Sequence, residues 1–495
     1  MFPRAVHGNG FLSVPVGTVD RPHNAKRQEG HPVTTTLENM DFFYATEIGI
    51  GTPHQVVRVL VDTGSSELWV NPDCRTAGSA SQSQQCRSFG QYNPSDSTTP
   101  PVGPFGSETI NYGDSSDEST QTSVRIRYYT DDIGLGNATI TNQTFGVVSS
   151  SEDQSTGIMG LAPDVFSGFD GQTPYSLLLN TMADQGIIAS RTFSLDLRHA
   201  EAETGAIIYG GADRNKFIGQ LESRPIIRGQ RGEFRLAVEL TTLGLTVDGS
   251  DNYELTGNDT NVMLDSGTTL SRMHYSAVQP LLEALGAIGD GEGYFVVPCD
   301  LRDASGSVDF GFGSKTVRVP FSDFILDVGD PNYCYVGVAI TTDQQILGDT
   351  VLRAGYFVFD WDNESVHIAQ AANCGDNDVV AFGSGRNAVP DIEGNCQESD
   401  AAFTGGGPEP TRATQTYPTQ AYTTTYTVTS CPEFERGCRT GVVTTQTIEA
   451  VTSRARETIT VTAGGGGGDS AGAHMEVFGG MVAGFGALAA AMNAM

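Results

Sequence analysis

The chain has 495 residues, enough for two or three domains, yet only 38% are hydrophobic, so part of its length lies outside any packed core. Acidic residues number 59 against 28 basic ones, a formal charge of −31. That excess argues against nucleic acid as a partner, because phosphates would be repelled, and a surface so rich in carboxylates suits acid surroundings.

Residues 1–30 are polar and carry the dibasic pair Lys26-Arg27, as a processed prosegment would. They contain no apolar run of the kind a signal peptide needs, so an upstream stretch is expected to be missing, with export by another route as the alternative. From Asp41 to about residue 372 the texture is of short strand-like runs broken by Gly, Asn, Asp and Ser. Examples are Phe42 to Tyr44, Val56 to Val61, Val124 to Tyr129, Ala206 to Tyr209 and Gly355 to Asp360. Helical patterns are few, at Tyr175 to Gln185 and Tyr275 to Leu285. This predicts an all-β fold with few short helices. Between Thr404 and Thr462, 20 of 59 residues are Ser or Thr, a composition that cannot bury a core and predicts an O-glycosylated stalk at 404–462. Residues 463–495 combine Gly464 to Gly468, a short polar spacer and an apolar end from Val477, the pattern of a GPI-attachment signal with its acceptor within 465–472. A weak membrane span is the competing reading of that end.

The strongest signal is a repeat. Val59-Leu60-Val61-Asp62-Thr63-Gly64-Ser65-Ser66 returns 203 residues later as Val262-Met263-Leu264-Asp265-Ser266-Gly267-Thr268-Thr269. Each copy is followed by an apolar pair and glycine, Ile158-Met159-Gly160 and Ile346-Leu347-Gly348. An isolated Asp-x-Gly is usually a turn, but the same two elements in the same order imply two related lobes with their Asp loops face to face.

These residues resemble the paired signatures of pepsin-like aspartic proteases, and the resemblance covers about residues 41–372. It implies a bilobal fold, with an N-terminal lobe at 41–220, a C-terminal lobe at 221–372 and a cleft between them. It makes Asp62 and Asp265 the catalytic pair, supported by Thr63, Gly64, Ser65, Ser266, Gly267 and Thr268. Ile110 to Asp114 resembles the family's flap, with Tyr112 as the flap tyrosine and Trp69 as its hydrogen-bond partner. The usual flap has a glycine soon after the Tyr-Gly pair, whereas Asp114-Ser115-Ser116-Asp117-Glu118 follows here. A structural tyrosine and a core tryptophan are the alternatives. Prosegment, stalk and tail add a likeness to the fungal yapsin-type branch.

The chemistry suits the residue types. Two carboxyls in contact cannot both ionise cheaply, so they share a proton, a behaviour for which aspartic proteases are the standard example. One takes a proton from a water while the other gives one to the scissile carbonyl, and no covalent intermediate forms. The pair titrates as a unit, so neither Asp is singled out as the base. Protein or peptide substrates at acid pH are expected, with no cofactor and no metal. The protein is expected to be extracellular, surface-anchored and monomeric. A binding protein on the same scaffold, and an adhesion protein whose stalk is the functional part, are the rivals.

Eight cysteines and no C-x-x-C pair indicate disulfides. Proximity suggests Cys74–Cys86 and Cys299–Cys334 in the lobes, then Cys374–Cys396 and Cys431–Cys438. Sequons at Asn137, Asn142, Asn258 and Asn363 are candidate glycosylation sites. Finally, Asp114, Asp117 and Glu118 have no basic neighbour in sequence before Arg125; with Tyr112 on a flap they would lie near the cleft mouth, which predicts a preference for Lys or Arg in the substrate, and a solvated acidic loop is the competing reading.

Overall fold

A computed structural model describes residues 32–400, apart from 41–42, 100, 118–119, 164–174, 229–233, 248–259 and 331–332. It also describes the strand pairs Val6–Gly8 with Phe11–Ser13 and Tyr422–Thr427 with Val443–Ile448. The main body is mostly β, and the five α-helices among the described residues are short, the longest being Tyr275–Ala284. Apolar residues alternate or run continuously along its strands, as in the wholly buried Gly355–Asp360, so each strand has at least one face to cover.

The largest sheet has fourteen strands and runs through both halves of the body. Its N-terminal part carries Tyr44–Ile50, Gln55–Asp62 and the long antiparallel hairpin Thr122–Leu135 with Ala138–Glu152. At its middle, Thr192–Asp196 pairs with Gly355–Asp360, which joins the two halves. The cross-strand pair Phe193 and Phe359 stacks there with ring centroids 4.7 Å apart, worth about 0.5–1.5 kcal/mol beyond simple burial. Three smaller sheets, of five, three and four strands, complete the C-terminal half. One of them holds the second Asp motif, on Asn261–Leu264.

Several bounds differ from the sequence reading. The strand expected at Phe42 begins at Tyr44, and the helix expected at Tyr175 begins at Leu178. The body also extends beyond 41–372. Val33–Asn39 pairs with Thr204–Tyr209, and Val379–Ala381 pairs with Gly211–Asp213. Strand Phe217–Pro225 runs unbroken across the expected lobe boundary at 220/221. Disulfides join Cys74 to Cys86, Cys299 to Cys334 and Cys374 to Cys396, the last tying down the segment after residue 372. Cys431 and Cys438 lie outside the described residues, as do the processing pair Lys26-Arg27 and the expected anchor signal at 463–495. Of the expected stalk, only the strand pair Tyr422–Thr427 and Val443–Ile448 is described.

Candidate active site

The repeat in sequence is a repeat in space. Gln55–Asp62 pairs in parallel with Gly157–Gly160, setting Gly160 beside Asp62. Asn261–Leu264 pairs in parallel with Gln345–Leu347. In both copies the glycine of the second element is required by close approach. A Cβ at Gly160 would lie 2.6 Å from the Ser65 carbonyl oxygen, and one at Gly348 would lie 2.3 Å from that of Thr268. The apolar-pair-glycine element is therefore the floor under each Asp loop.

The two loops interlock. The Thr63 hydroxyl donates to the Leu264 carbonyl (2.7 Å) and accepts from the Ser266 amide (2.9 Å). Reciprocally, the Ser266 hydroxyl donates to the Val61 carbonyl (2.7 Å) and accepts from the Thr63 amide (3.2 Å). Thr63 and Ser266 are fully buried, so these four bonds are shielded from water.

This brace sets the carboxyls against each other. Asp62 accepts from the Gly64 amide (2.7 Å) and the Ser65 hydroxyl, and Asp265 from the Gly267 amide (2.8 Å) and the Thr268 hydroxyl (2.7 Å). Each carboxyl also lies over the other loop's glycine. A Cβ on Gly64 would fall 2.5 Å from Asp265 Cγ, and one on Gly267 would fall 2.6 Å from Asp62 Oδ1. Burial, followed by the charge of Asp265, pushes the Asp62 carboxyl well above the ordinary carboxylate range. The pair is built to hold a proton.

Strand Val102–Tyr112 forms an antiparallel ribbon with Thr122–Leu135, and Tyr112 stands at its tip opposite Thr122. The buried Trp69 indole donates to the Tyr112 hydroxyl at 2.7 Å. Burial, and next the charge of Asp62, raise the pKa of Tyr112. The structure thus joins Trp69 to Tyr112 and Ser65 to Asp62 by direct hydrogen bonds.

The acidic run beyond Tyr112 departs from expectation. Asp114 is buried rather than solvated, and its Oδ2 lies 2.9 Å from Nη1 of Arg272, a residue 158 positions away and only 3% exposed. Asp117 lies 3.7 Å from the same Nη1 and accepts a 3.0 Å bond from the Tyr294 hydroxyl. The neutralising base absent from the local sequence comes from the opposite half. Glu118 lies outside the described residues.

Among the sequons, Asn137 and Asn142 are exposed at and near the turn of the long hairpin. Asn363 is half-buried, and its side-chain nitrogen already donates to Asp360 (2.7 Å) and the Gly385 carbonyl (3.0 Å). Asn258 lies outside the described residues. Sequence reasoning missed two buried charged groups close to the site. Asp349 follows the second glycine floor and is fully buried, and burial pushes its carboxyl well above the ordinary range. Arg353, one helical turn on, donates from Nε to the Tyr44 hydroxyl at 2.8 Å. A charged residue inside the apolar run Ile346 to Val358 was the available signal for both.

Residues 43–371 match the family model for eukaryotic aspartyl protease. The chain is 33% identical over 384 residues to candidapepsin of Candida tropicalis, covering 75% of this chain and 91% of the relative. Secreted aspartic protease 1 of Candida albicans is 32% identical over 394 residues, covering 75% and 93%. Secreted aspartic protease 8 of the same species is 37% identical over 352 residues, covering 69% and 79%.

Proposed function

Because the chain belongs to the eukaryotic aspartyl protease family and is an aspartic-type endopeptidase, we propose that Asp62 and Asp265 carry out the hydrolysis at acid pH. What carries this reading is the mutual seating of the two carboxyls over each other's glycine loops. With one proton shared, the ionised carboxylate removes a proton from a water, whose oxygen bonds to the scissile carbonyl carbon. The protonated carboxyl gives its proton to the carbonyl oxygen, which yields a gem-diol. Proton transfer to the amide nitrogen and return of a hydroxyl proton to the pair then break the C–N bond. Gly64, Ser65, Gly267 and Thr268 orient the carboxyls, Thr63 and Ser266 hold the two loops in register, and Tyr112 with Trp69 forms the flap.

The protein acts outside the cell in this reading, as the names of its secreted relatives suggest. Three disulfides fit an oxidising compartment. The prosegment-like region 1–30 is processed at Lys26-Arg27, the lobes expected at 41–220 and 221–372 extend to Val33 and to the Cys374–Cys396 disulfide, and the stalk and lipid anchor at 404–462 and 463–495 hold the enzyme at the surface, as in the yapsin-type branch. Asn137 and Asn142 suit glycan attachment better than Asn363. Of the run that suggests a preference for basic residues, Asp114 and Asp117 already face Arg272, which leaves Glu118 as the carboxylate that would favour Lys or Arg in the substrate.

The test is a pH profile of protein digestion by the processed enzyme. Cleavage is expected to peak in the acid range and to fade as the shared proton is lost. A flat profile into alkaline pH would contradict a carboxyl pair as the catalyst.

A further inference from the structure

The two copies of the Asp motif differ in one telling place. Seven residues after Asp62 stands Trp69, and seven residues after Asp265 stands Arg272. The two occupy equivalent strands, Leu68–Val70 and Ser271–Met273. Trp69 pairs in parallel with Gly146 and antiparallel with Ile158 of the glycine floor. Arg272 likewise pairs in parallel with Ala339 and antiparallel with Ile346 of the other floor. Both are buried, and both direct an N–H donor at the same ribbon tip: Trp69 to Tyr112, Arg272 to Asp114 two residues on.

Further bonds join the tip to the C-terminal half around Arg272. The Ser115 hydroxyl bonds the Asp343 carboxylate, and the Ser116 hydroxyl lies 3.2 Å from the Thr341 hydroxyl. The Thr342 amide donates to Ser116 Oγ at 3.3 Å, and Tyr294 holds Asp117. Burial alone would push the Asp114 carboxyl up, but the Ser116 hydroxyl and amide, the Thr341 hydroxyl and Arg272 outweigh it and hold its pKa below the ordinary value. The pairing therefore persists into acid.

We propose that Arg272 is a positioning residue that clasps the flap to the C-terminal half, so that the flap rests closed over the carboxyl pair before substrate binds. The proposal rests on reading Tyr112 as the flap tyrosine. Trp69 fixes the flap from one half and Arg272 from the symmetry-related position in the other. With the flap already placed, little of the peptide's binding free energy goes into ordering it. If Arg272 is removed, Asp114 is left buried without a counter-charge, the tip leaves its seat, and the closed fraction falls. The apparent affinity for substrate falls in proportion, while turnover on the bound, re-closed complex persists.

The test compares Arg272→Met, Arg272→Lys, the double variant Arg272→Met/Asp114→Asn, and Ser116→Ala, an exposed change that removes one hydroxyl bond to Asp114 (2.6 Å) and keeps both Arg272 and Asp114. Steady-state cleavage of an unstructured peptide should show KM raised about tenfold in Arg272→Met with kcat within about twofold. Arg272→Lys and the double variant should recover most of that loss, and Ser116→Ala should show a smaller rise in KM. Hydrogen exchange over residues 107–123 is read in parallel in the inactive Asp62→Asn background, where it reports the flap whatever the chemistry. Exchange should accelerate at least tenfold with Arg272→Met and return toward the parent rate in the double variant. Unchanged exchange, or a lowered KM, would overturn the clasp. So would a loss confined to peptides carrying Asp or Glu, which would make Arg272 a substrate ligand. If Arg272→Met fails to fold, Ser116→Ala decides: exchange equal to the parent overturns the proposal, and faster exchange upholds it. Failure of the enzyme to cleave any peptide, with exchange responding as described, would count against the protease reading and leave the clasp standing.

Discussion

Replacing Thr63 by Val keeps the volume of the side chain and deletes one hydroxyl. That hydroxyl donates to the Leu264 carbonyl at 2.7 Å and accepts from the Ser266 amide at 2.9 Å, in a place with no exposure to water. Both backbone groups lose that partner, and each buried group left short costs about 1–3 kcal/mol, so the loss should be about 2–6 kcal/mol. Against a total stability of about 5–15 kcal/mol this is large. It should appear as a clear fall in the urea midpoint, measured in acid buffer by tryptophan fluorescence. Because the same bonds seat the Asp62 loop against the Asp265 loop, kcat should drop at least tenfold, about 1.4 kcal/mol in the barrier. Thr63→Ser retains the hydroxyl and loses only a methyl group, so it should keep most of both properties. If Val and Ser lost equal stability, or if Val were fully active, the hydroxyl bonds would not be what joins the loops.

Two more outcomes follow from the same geometry. Gly64→Ala would drive a methyl to 2.5 Å from Asp265 Cγ, so kcat/KM should fall by about 10²-fold, with the fold intact by circular dichroism; near-parental activity would mean that the carboxyls are not seated as described. Burial raises Asp62, Asp196, Asp323 and Asp349 above the ordinary carboxylate range. Each contributes stability that is full below the unfolded carboxylate pKa and is lost as pH climbs through its folded value. His367, pushed down to about 4 by burial, acts in the opposite sense, losing its contribution as pH falls toward that value. With these four carboxyls and the likewise raised Asp213, Asp290 and Asp360 against one imidazole, the unfolding temperature should fall from the acid range toward neutrality, and Asp349→Asn should flatten that fall. A rise between pH 5 and 7 would contradict this balance.

The repeated Asp motif was legible in the sequence because one duplicated strand and turn must satisfy the same backbone needs twice. Its glycine floor was legible too, since only glycine tolerates a carbonyl 2.3 Å from its Cβ position. Three disulfides followed from proximity along the chain, as Cys74 and Cys86 are 12 residues apart with their Cα atoms at 5.5 Å. What sequence could not give was pairing at long range. Asp114, Asp117 and Glu118 read as uncompensated charges free to meet a basic substrate because Arg272 stands 158 residues from Asp114, on a strand whose other residues are apolar or small. The extension of the body to residue 400 was hidden for a related reason. Val379–Ala381 is only three residues long and is ordered by pairing with Gly211–Asp213, not by a pattern of its own.

The most direct measurement is digestion of casein at acid pH by the single variants Asp62→Asn and Asp265→Asn, each first shown to be folded. Either substitution leaves a loop that can form but a pair that can no longer hold and pass the shared proton. Neither variant should cleave casein above the level of a blank, whereas the parent enzyme should. Full activity in either folded variant would contradict catalysis by this pair.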